Sequence, residues 1–285
     1  MDDWILEKKQ IRRNFDRAAT SYDAAAALQQ EIAVRTLDRF DFIKHQPNTI
    51  LDMGCGTGTL TFGLMERFSK AKITALDMAP RMLEVLKSKL GFWQRLRKKP
   101  NFLCADIESI PLKDNSFDLV VSGLTLQWCN QPDKVFSEVM RILKPGGLFM
   151  FTTFGPDTLK ELRQCWAKVD NYSHVSAFLD MHDVGDALMR HGYSEPVMDT
   201  ERLRLTYKNV KDLLRELKQI GANNATAGRN RKLTGAARMR AMEEAYEEHR
   251  NKGALPASYE IVYGHAWKAD PDVIKKSVTV EFGLE

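Results

Sequence analysis

The residues with the clearest chemical potential stand in one short run, Leu51-Asp52-Met53-Gly54-Cys55-Gly56-Thr57-Gly58. Glycines at alternate positions let a backbone pass close to a bound ligand and tolerate positive φ. A helix starting just behind them would aim its unpaired N–H groups at that ligand. The dinucleotide fingerprint G-x-G-x-x-G/A would require glycine or alanine at position 59. Thr59 stands there, and the spacing is instead G-x-G-x-G with Asp52 in front. Two further carboxylates, Asp77 and Asp106, each follow a short apolar run.

These residues need strands and helices to position them. Thr49 to Met53 reads as a buried strand, and Leu60, Leu64 and Phe68 recur behind the glycines at helical spacing. Lys72 to Leu76 reads as a second strand ending on Asp77, with Pro80 opening a helix to about Leu90. Asn101 to Cys104 and Phe117 to Ser122 are further strands. Pro132 opens a helix to Leu143, and Lys144-Pro145-Gly146-Gly147 turns into a strand from Leu148 to Thr153. Strands alternating with helices imply a parallel sheet with right-handed crossovers. Residues 4–40 read as helical, with a break at Thr20-Ser21-Tyr22-Asp23. Later helices are expected at Asp157–Val169, Asp183–His191, Val210–Ile220 and Gly235–His249, and strands at Glu201–Tyr207 and Tyr259–Trp267. Gly221 to Asn230 reads as a mobile loop.

Composition narrows the class. With 285 residues, 44% hydrophobic and 28% charged, the chain suits one large α/β domain with additions. No apolar run approaches the ~20 residues of a membrane span. Asp2 and Asp3 open a segment without a signal-like apolar stretch, which predicts a cytoplasmic protein. Cys55, Cys104, Cys129 and Cys165 are scattered, with no CxxC pair, so neither a metal site nor a disulfide framework is expected. Charge is uneven: Arg202 to Arg240 holds eleven basic residues against Asp212 and Glu216 alone. That segment carries +9 in a chain of net +4, which leaves −5 for the remainder and suggests an acidic partner. Arg95, Arg97, Lys98 and Lys99 form a second basic cluster.

The G-x-G-x-G loop with its leading acid, the ordered strand-end carboxylates and Leu143-Lys144-Pro145-Gly146-Gly147 resemble the S-adenosylmethionine (SAM)-dependent methyltransferase superfamily. The resemblance implies a Rossmann-like α/β fold, with a seven-stranded, mostly parallel sheet and helices on both faces. It implies cofactor contacts from Asp52, Gly54, Gly56 and Gly58, from Asp77 with Met78 at the ribose, from Asp106 and Ile107 at adenine, and from Ser122 at the methyl-donor cleft. No metal is implied. The Asn/Asp-Pro-Pro-aromatic motif of base amino-methylation is absent, since Ser122-Gly123-Leu124-Thr125 stands in its place, and no Pro-Cys pair serves cytosine C5 chemistry. Nucleic acid is therefore the lesser candidate partner.

Stretches outside those motifs carry a finer resemblance, to the malonyl-[acyl-carrier-protein] O-methyltransferases of biotin synthesis. They include Ser21-Tyr22-Asp23, Leu126-Gln127-Trp128, Thr153-Phe154-Gly155-Pro156-Asp157, Phe178-Leu179-Asp180-Met181-His182-Asp183, Gly221-Ala222-Asn223-Asn224-Ala225 and Pro256-Ala257-Ser258-Tyr259-Glu260, so the likeness runs from about Lys8 to Trp267. The family implies methylation of the free carboxylate of a malonyl thioester on acyl carrier protein, or on coenzyme A. Such a carboxylate is ionised at neutral pH and needs no general base. Tyr22 is the candidate for closing over cofactor and malonyl head, Arg163 and His174 for orienting the carboxylate, and Gln127 and Trp128 for lining the acceptor pocket.

The acidic carrier would dock on the basic 202–240 segment. Residues 1–45 would form a helical lid, 46–207 and 259–285 the SAM-binding core, and 208–258 a basic helical insert. Two alternatives stay open: a relative of the NADH dehydrogenase assembly-factor branch, which modifies protein, and a non-catalytic SAM-binding module that contacts RNA.

Overall fold

The computed structural model describes residues 5–92, 94, 99–230 and 234–270. Its strands are β1 (Thr49–Met53), β2 (Lys72–Asp77), β3 (Asn101–Cys104), β4 (Phe117–Gly123), β5 (Leu143–Phe154), β6 (Tyr193–Tyr207) and β7 (Leu255–Lys268). They form one seven-stranded sheet in the order β3-β2-β1-β4-β5-β7-β6. The first five run parallel, whereas β7 is antiparallel to both β5 and β6. Strand order reverses between β1 and β4, the position where open α/β sheets leave a crevice beyond the strand ends.

The helices are α1 (Lys8–Ala18), α2 (Tyr22–Ala25), α3 (Ala27–Asp38), α4 (Thr59–Arg67), α5 (Pro80–Lys89), α6 (Pro132–Ile142), α7 (Lys160–Ala167), α8 (Met181–Arg190), α9 (Val210–Gln219) and α10 (Ala236–Glu247). Alternation along the strands sends successive residues to opposite layers. Leu51, Val120, Phe149 and Phe151 face α6 and α8, while Ile50, Leu119, Val121 and Met150 face α3 and α4. A third cluster joins α7, α9 and α10 to Leu255, Ala257, Tyr259 and Ile261 of β7. No helix among the described residues is long and apolar enough to cross a membrane.

Several boundaries differ from those expected. β5 begins at Leu143 because Phe117 already pairs with Leu143, and the Lys144–Gly147 turn is taken up as a register shift before Leu148 pairs with Leu119. β6 starts at Tyr193, eight residues before the expected Glu201. Its first half carries Glu195 at φ 51 and a register shift between Ser194 and Val197, so Pro196 is tolerated on a sheet edge. β7 starts at Leu255, within the segment assigned to the helical insert.

The Gly221–Asn230 loop is not free. Glu7 N–H donates to the Ala225 carbonyl at 2.8 Å and Ala227 N–H to the Ile5 carbonyl at 2.7 Å, making a short antiparallel clasp. The Asn224 side chain receives the Thr226 N–H and hydroxyl, and Ala225 and Thr226 are fully buried. Small residues that read as flexible are therefore small because the loop packs against the N-terminal segment.

Candidate functional site

The carboxyl ends of β1, β2 and β4 open into one large cavity, roofed by α1, α2 and the clasped loop. Gly54, Gly56 and Gly58 all hold positive φ, at 80°, 53° and 98°. A Cβ on Gly54 would meet the Thr125 hydroxyl at 2.1 Å, and one on Gly58 would meet Leu86 at 1.8 Å. Above Gly56 nothing lies within 4 Å, so that backbone is open to a ligand.

Two carboxylates sit beneath this turn. Asp77 accepts N–H bonds from Gly56 at 2.9 Å and Ala79 at 2.8 Å, and lines the cavity. Burial nevertheless raises its carboxyl to about 6. Asp52 is fully buried; one oxygen accepts the Thr61 hydroxyl at 2.5 Å, and the other has no hydrogen-bond partner among the described residues. Burial, against the Thr61 bond and aided by the Asp77 charge, lifts it to about 7. An unpaired buried carboxylate oxygen calls for a positive or donating neighbour.

Asp106 lies farther along the same wall, and its carboxylate accepts the Glu108 N–H at 3.0 Å. Lys8 of α1 reaches it at 3.1 Å and Glu108 at 2.9 Å.

Tyr22 hangs over the glycine turn because its neighbour Asp23 is tied down. Asp23 accepts the Thr57 hydroxyl at 2.6 Å and pairs with Lys89 at 2.5 Å. Burial, then the negative charges of Asp77 and Asp23, hold the Tyr22 phenol well above its ordinary value, so it remains a donor. Trp128 meets Phe15 of α1 edge-on at 5.2 Å, and both line the cavity. Gln127 also lines it, but its amide donates to the Leu124 carbonyl at 2.7 Å and steadies that residue at φ 49.

The far half of the cavity is walled by Phe154, Leu159, Phe178, Leu217 and Tyr259. His174 borders it, stacked on Trp166 at 3.7 Å with an interplanar angle of 5°. Its Nε2 lies 2.7 Å from Asp170. Burial works to raise the Asp170 carboxyl, but the His174 and Tyr172 hydrogen bonds leave it below the usual carboxylate range. An ionised Asp170 only accepts, so the ring proton sits on Nε2.

The family described as "Methyltransferase domain" matches residues 51–151, which span β1 through most of β5. Over 284 residues the chain is 48% identical to a malonyl-[acyl-carrier protein] O-methyltransferase of Gallionella capsiferriformans, covering 98% of this chain and 97% of the relative. The chain belongs to the malonyl-[acyl-carrier protein] O-methyltransferase family. A member from Laribacter hongkongensis is 50% identical over 269 residues, 93% of this chain and 91% of its own. Among solved structures, the YcgJ protein of Bacillus subtilis superposes with a TM-score of 0.59 at 13% identity, over 83% of this chain and 99% of that one. A putative methyltransferase of Bacillus halodurans gives 0.57 at 17% identity, over 82% and 98%. These two likenesses establish the shared α/β fold.

Within this family's fold the structure brings Tyr22, Gly54, Gly56, Asp77, Met78, Asp106, Ile107, Gln127, Trp128 and His174 to one cavity. Asp52, Gly58 and Ser122 lie just behind its wall, and the fully buried Ser122 hydroxyl has no partner among the described residues. Arg163 is not brought there. Its guanidinium donates to the Pro156 carbonyl at 3.0 Å and the Thr158 carbonyl at 2.9 Å, clamping the turn that places Leu159 at φ 52. The turn before its helix consumes the guanidinium, although Leu162 of the same helix lines the cavity.

Lys8, Phe15, Thr125 and Tyr259 line the cavity without having been singled out. Tyr259 stood inside a family stretch and could have been found there; Lys8 and Phe15 had no signal beyond a helical pattern.

The basic segment is only partly free. Arg229 turns inward to Glu7 at 2.9 Å, Arg215 pairs with Asp212 at 2.7 Å and Lys211 with Glu243 at 3.3 Å. Arg204, Lys208, Lys218 and Arg240 are exposed with no ion pair among the described residues. Arg231, Lys232, Arg95, Arg97 and Lys98 lie outside those residues.

Proposed function

We propose that the protein transfers a methyl group from SAM to the free carboxylate of a malonyl thioester carried by an acidic acyl carrier protein. The names of its relatives and the residues of the cavity support this reading together. SAM supplies an electrophilic methyl group on a sulfonium. The open backbone above Gly56, the Asp77 carboxylate and the Asp106–Ile107 wall suit its sugar and base, and buried Asp52 offers an unpaired carboxyl oxygen beneath the glycine turn.

One observation carries the choice of acceptor: Lys8 is the sole lysine or arginine bordering the cavity among the described residues, and Asp106 and Glu108 already neutralise it. When a carboxylate attacks a sulfonium, both charges vanish, so a fixed cation at the carboxylate would favour the ground state over the transition state. Neutral donors position without that penalty. Tyr22 supplies a hydroxyl that stays protonated, and aromatic walls exclude water. His174, with Nε2 committed to Asp170, can donate to the carboxylate only from Nδ1 as an imidazolium. Arg163 acts from behind, by holding the turn.

Residues 5–45 act as a lid, and α9 with the exposed Lys218, Lys208 and Arg204 receives the carrier. The protein works in the cytoplasm. The assembly-factor and RNA-binding alternatives draw no support from a specific feature of the cavity.

Tandem mass spectrometry of malonyl-carrier protein after incubation with SAM tests the reading. A methyl ester at the terminal carboxylate is expected; a methyl group on carbon, on sulfur or on the carrier's own side chains would overturn it.

A further inference from the structure

Four side-chain amides border the cavity among the described residues, those of Gln29, Gln127, Asn223 and Asn224. Two of them are spent on the fold. Gln127 donates to the Leu124 carbonyl, and Asn224 donates to the Ser173 carbonyl while accepting the Thr226 N–H and hydroxyl. Gln29 and Asn223 have no side-chain hydrogen bond among the described residues. These two differ in how firmly they are held. Gln29 is a long side chain near the start of α3. Asn223 is short, and its backbone is pinned on both sides: Ala222 N–H donates to the Leu217 carbonyl at 2.9 Å, and Ala225 accepts the Glu7 N–H at 2.8 Å just past the bound Asn224. The loop also spans the two halves of the cavity. Met78 and Trp128 of the cofactor half pack against the cluster that holds Ala225, and Ser173 adjoins His174 of the acceptor half. A polar group left unpaired on a fixed backbone beside a cavity is a preorganised donor.

Resting on the malonyl-thioester reading, we infer that Asn223 donates its side-chain N–H to the malonyl carboxylate oxygen that does not attack. The other oxygen keeps its lone pair for the methyl carbon. An O–C bond forms, the C–S bond breaks, its electron pair stays on sulfur, and no proton moves. The oxygen bound by Asn223 becomes the ester carbonyl, which still accepts. The contact therefore persists from substrate to product, whereas a cation at the same place would lose its partner charge as the methyl group arrives. An amide is also neutral at every working pH, so it holds the acid without setting a charge beside the sulfonium.

The test is steady-state methylation of malonyl-acyl carrier protein at pH 8, with its methyl ester as a competing inhibitor. Asn223→Ala is expected to raise KM about tenfold, as removal of one hydrogen bond to a charged acceptor does, and to leave SAM affinity within about twofold. Asn223→Asp is expected to raise KM about tenfold beyond Asn223→Ala, because two carboxylates then face each other, yet to bind the uncharged methyl ester no more weakly than Asn223→Ala does. A merely structural asparagine would not produce a split that follows the charge of the acceptor. A KM for Asn223→Ala within about twofold of the wild-type value, or equal KM values for the two variants, overturns the inference. Should Asn223→Asp fail to fold, the KM of Asn223→Ala decides alone. Failure of the wild-type protein to methylate malonyl-acyl carrier protein while it binds SAM overturns the malonyl reading, and this inference with it, and is distinct from an active wild-type protein whose variants are unimpaired.

Discussion

Asp52→Asn should stabilise the ligand-free protein, and more so as pH rises. Asp52 is fully buried, with one oxygen on Thr61 and the other unpaired among the described residues. Burial, opposed by the Thr61 bond and reinforced by Asp77, moves its carboxyl from 3.8 to about 7. An acid whose folded value is raised contributes stability that is fully present below its unfolded value and lost as pH climbs through the folded one. The loss therefore accrues from about pH 4 to about pH 7. At about 1.4 kcal/mol per unit, a rise of about three units sets a ceiling of about 4 kcal/mol above pH 7. Asparagine retains an acceptor for Thr61 and cannot ionise. Half the ceiling corresponds to a rise in Tm of about 4–8 °C at pH 8. Thermal unfolding of both proteins without ligand, from pH 5 to pH 8.5, measures it. A gap that widens with pH is the expected result. A variant that is less stable by the same amount at every pH would refute the reasoning, because Asp52 would then be a structural hydrogen-bonding group and not a strained charge kept for a ligand.

Cofactor affinity should fall below about pH 6 as the Asp77 carboxyl, raised by burial, takes up its proton and loses acceptor strength; calorimetric titration with SAM that stays flat down to pH 5 would contradict this. Gly58→Ala combines φ 98 with a Cβ 1.8 Å from Leu86, and urea unfolding should show a loss of more than about 2 kcal/mol. Charge reversal at Arg204, Lys208 and Lys218 should raise KM for malonyl-carrier protein severalfold and flatten its salt dependence while leaving malonyl-coenzyme A less affected; equal effects on both would place docking elsewhere. Arg163→Ala should lower Tm through loss of two bonds to carbonyls and leave KM for the acceptor within about twofold, as its guanidinium does not reach the cavity.

The cofactor half was legible because its chemistry is local. The turn from Gly54 to Gly58 depends on glycines adjacent in sequence, and Asp77 and Asp106 are marked by the strands they follow. β1, β2 and β4 were legible for the same reason, as continuous apolar runs buried on both faces. The acceptor half was not, because it is assembled at long range. Lys8 meets Asp106 across the lid, and the Ile5–Glu7 clasp immobilises a loop more than two hundred positions away. β6 was half hidden because an edge strand with one solvated face tolerates Pro196 and a bulge. Arg163 shows the limit most clearly: its placement on α7 was readable, but its partners are carbonyls of the preceding turn, and sequence pattern carries no information about carbonyl direction.

The central claim is tested most directly by methyl transfer from labelled SAM to malonyl-acyl carrier protein beside acetyl-acyl carrier protein. Label on the malonyl form alone is the result predicted here, because the two differ only in the carboxylate that the cavity is proposed to receive. Equal labelling of both, or of neither while SAM still binds, would contradict it.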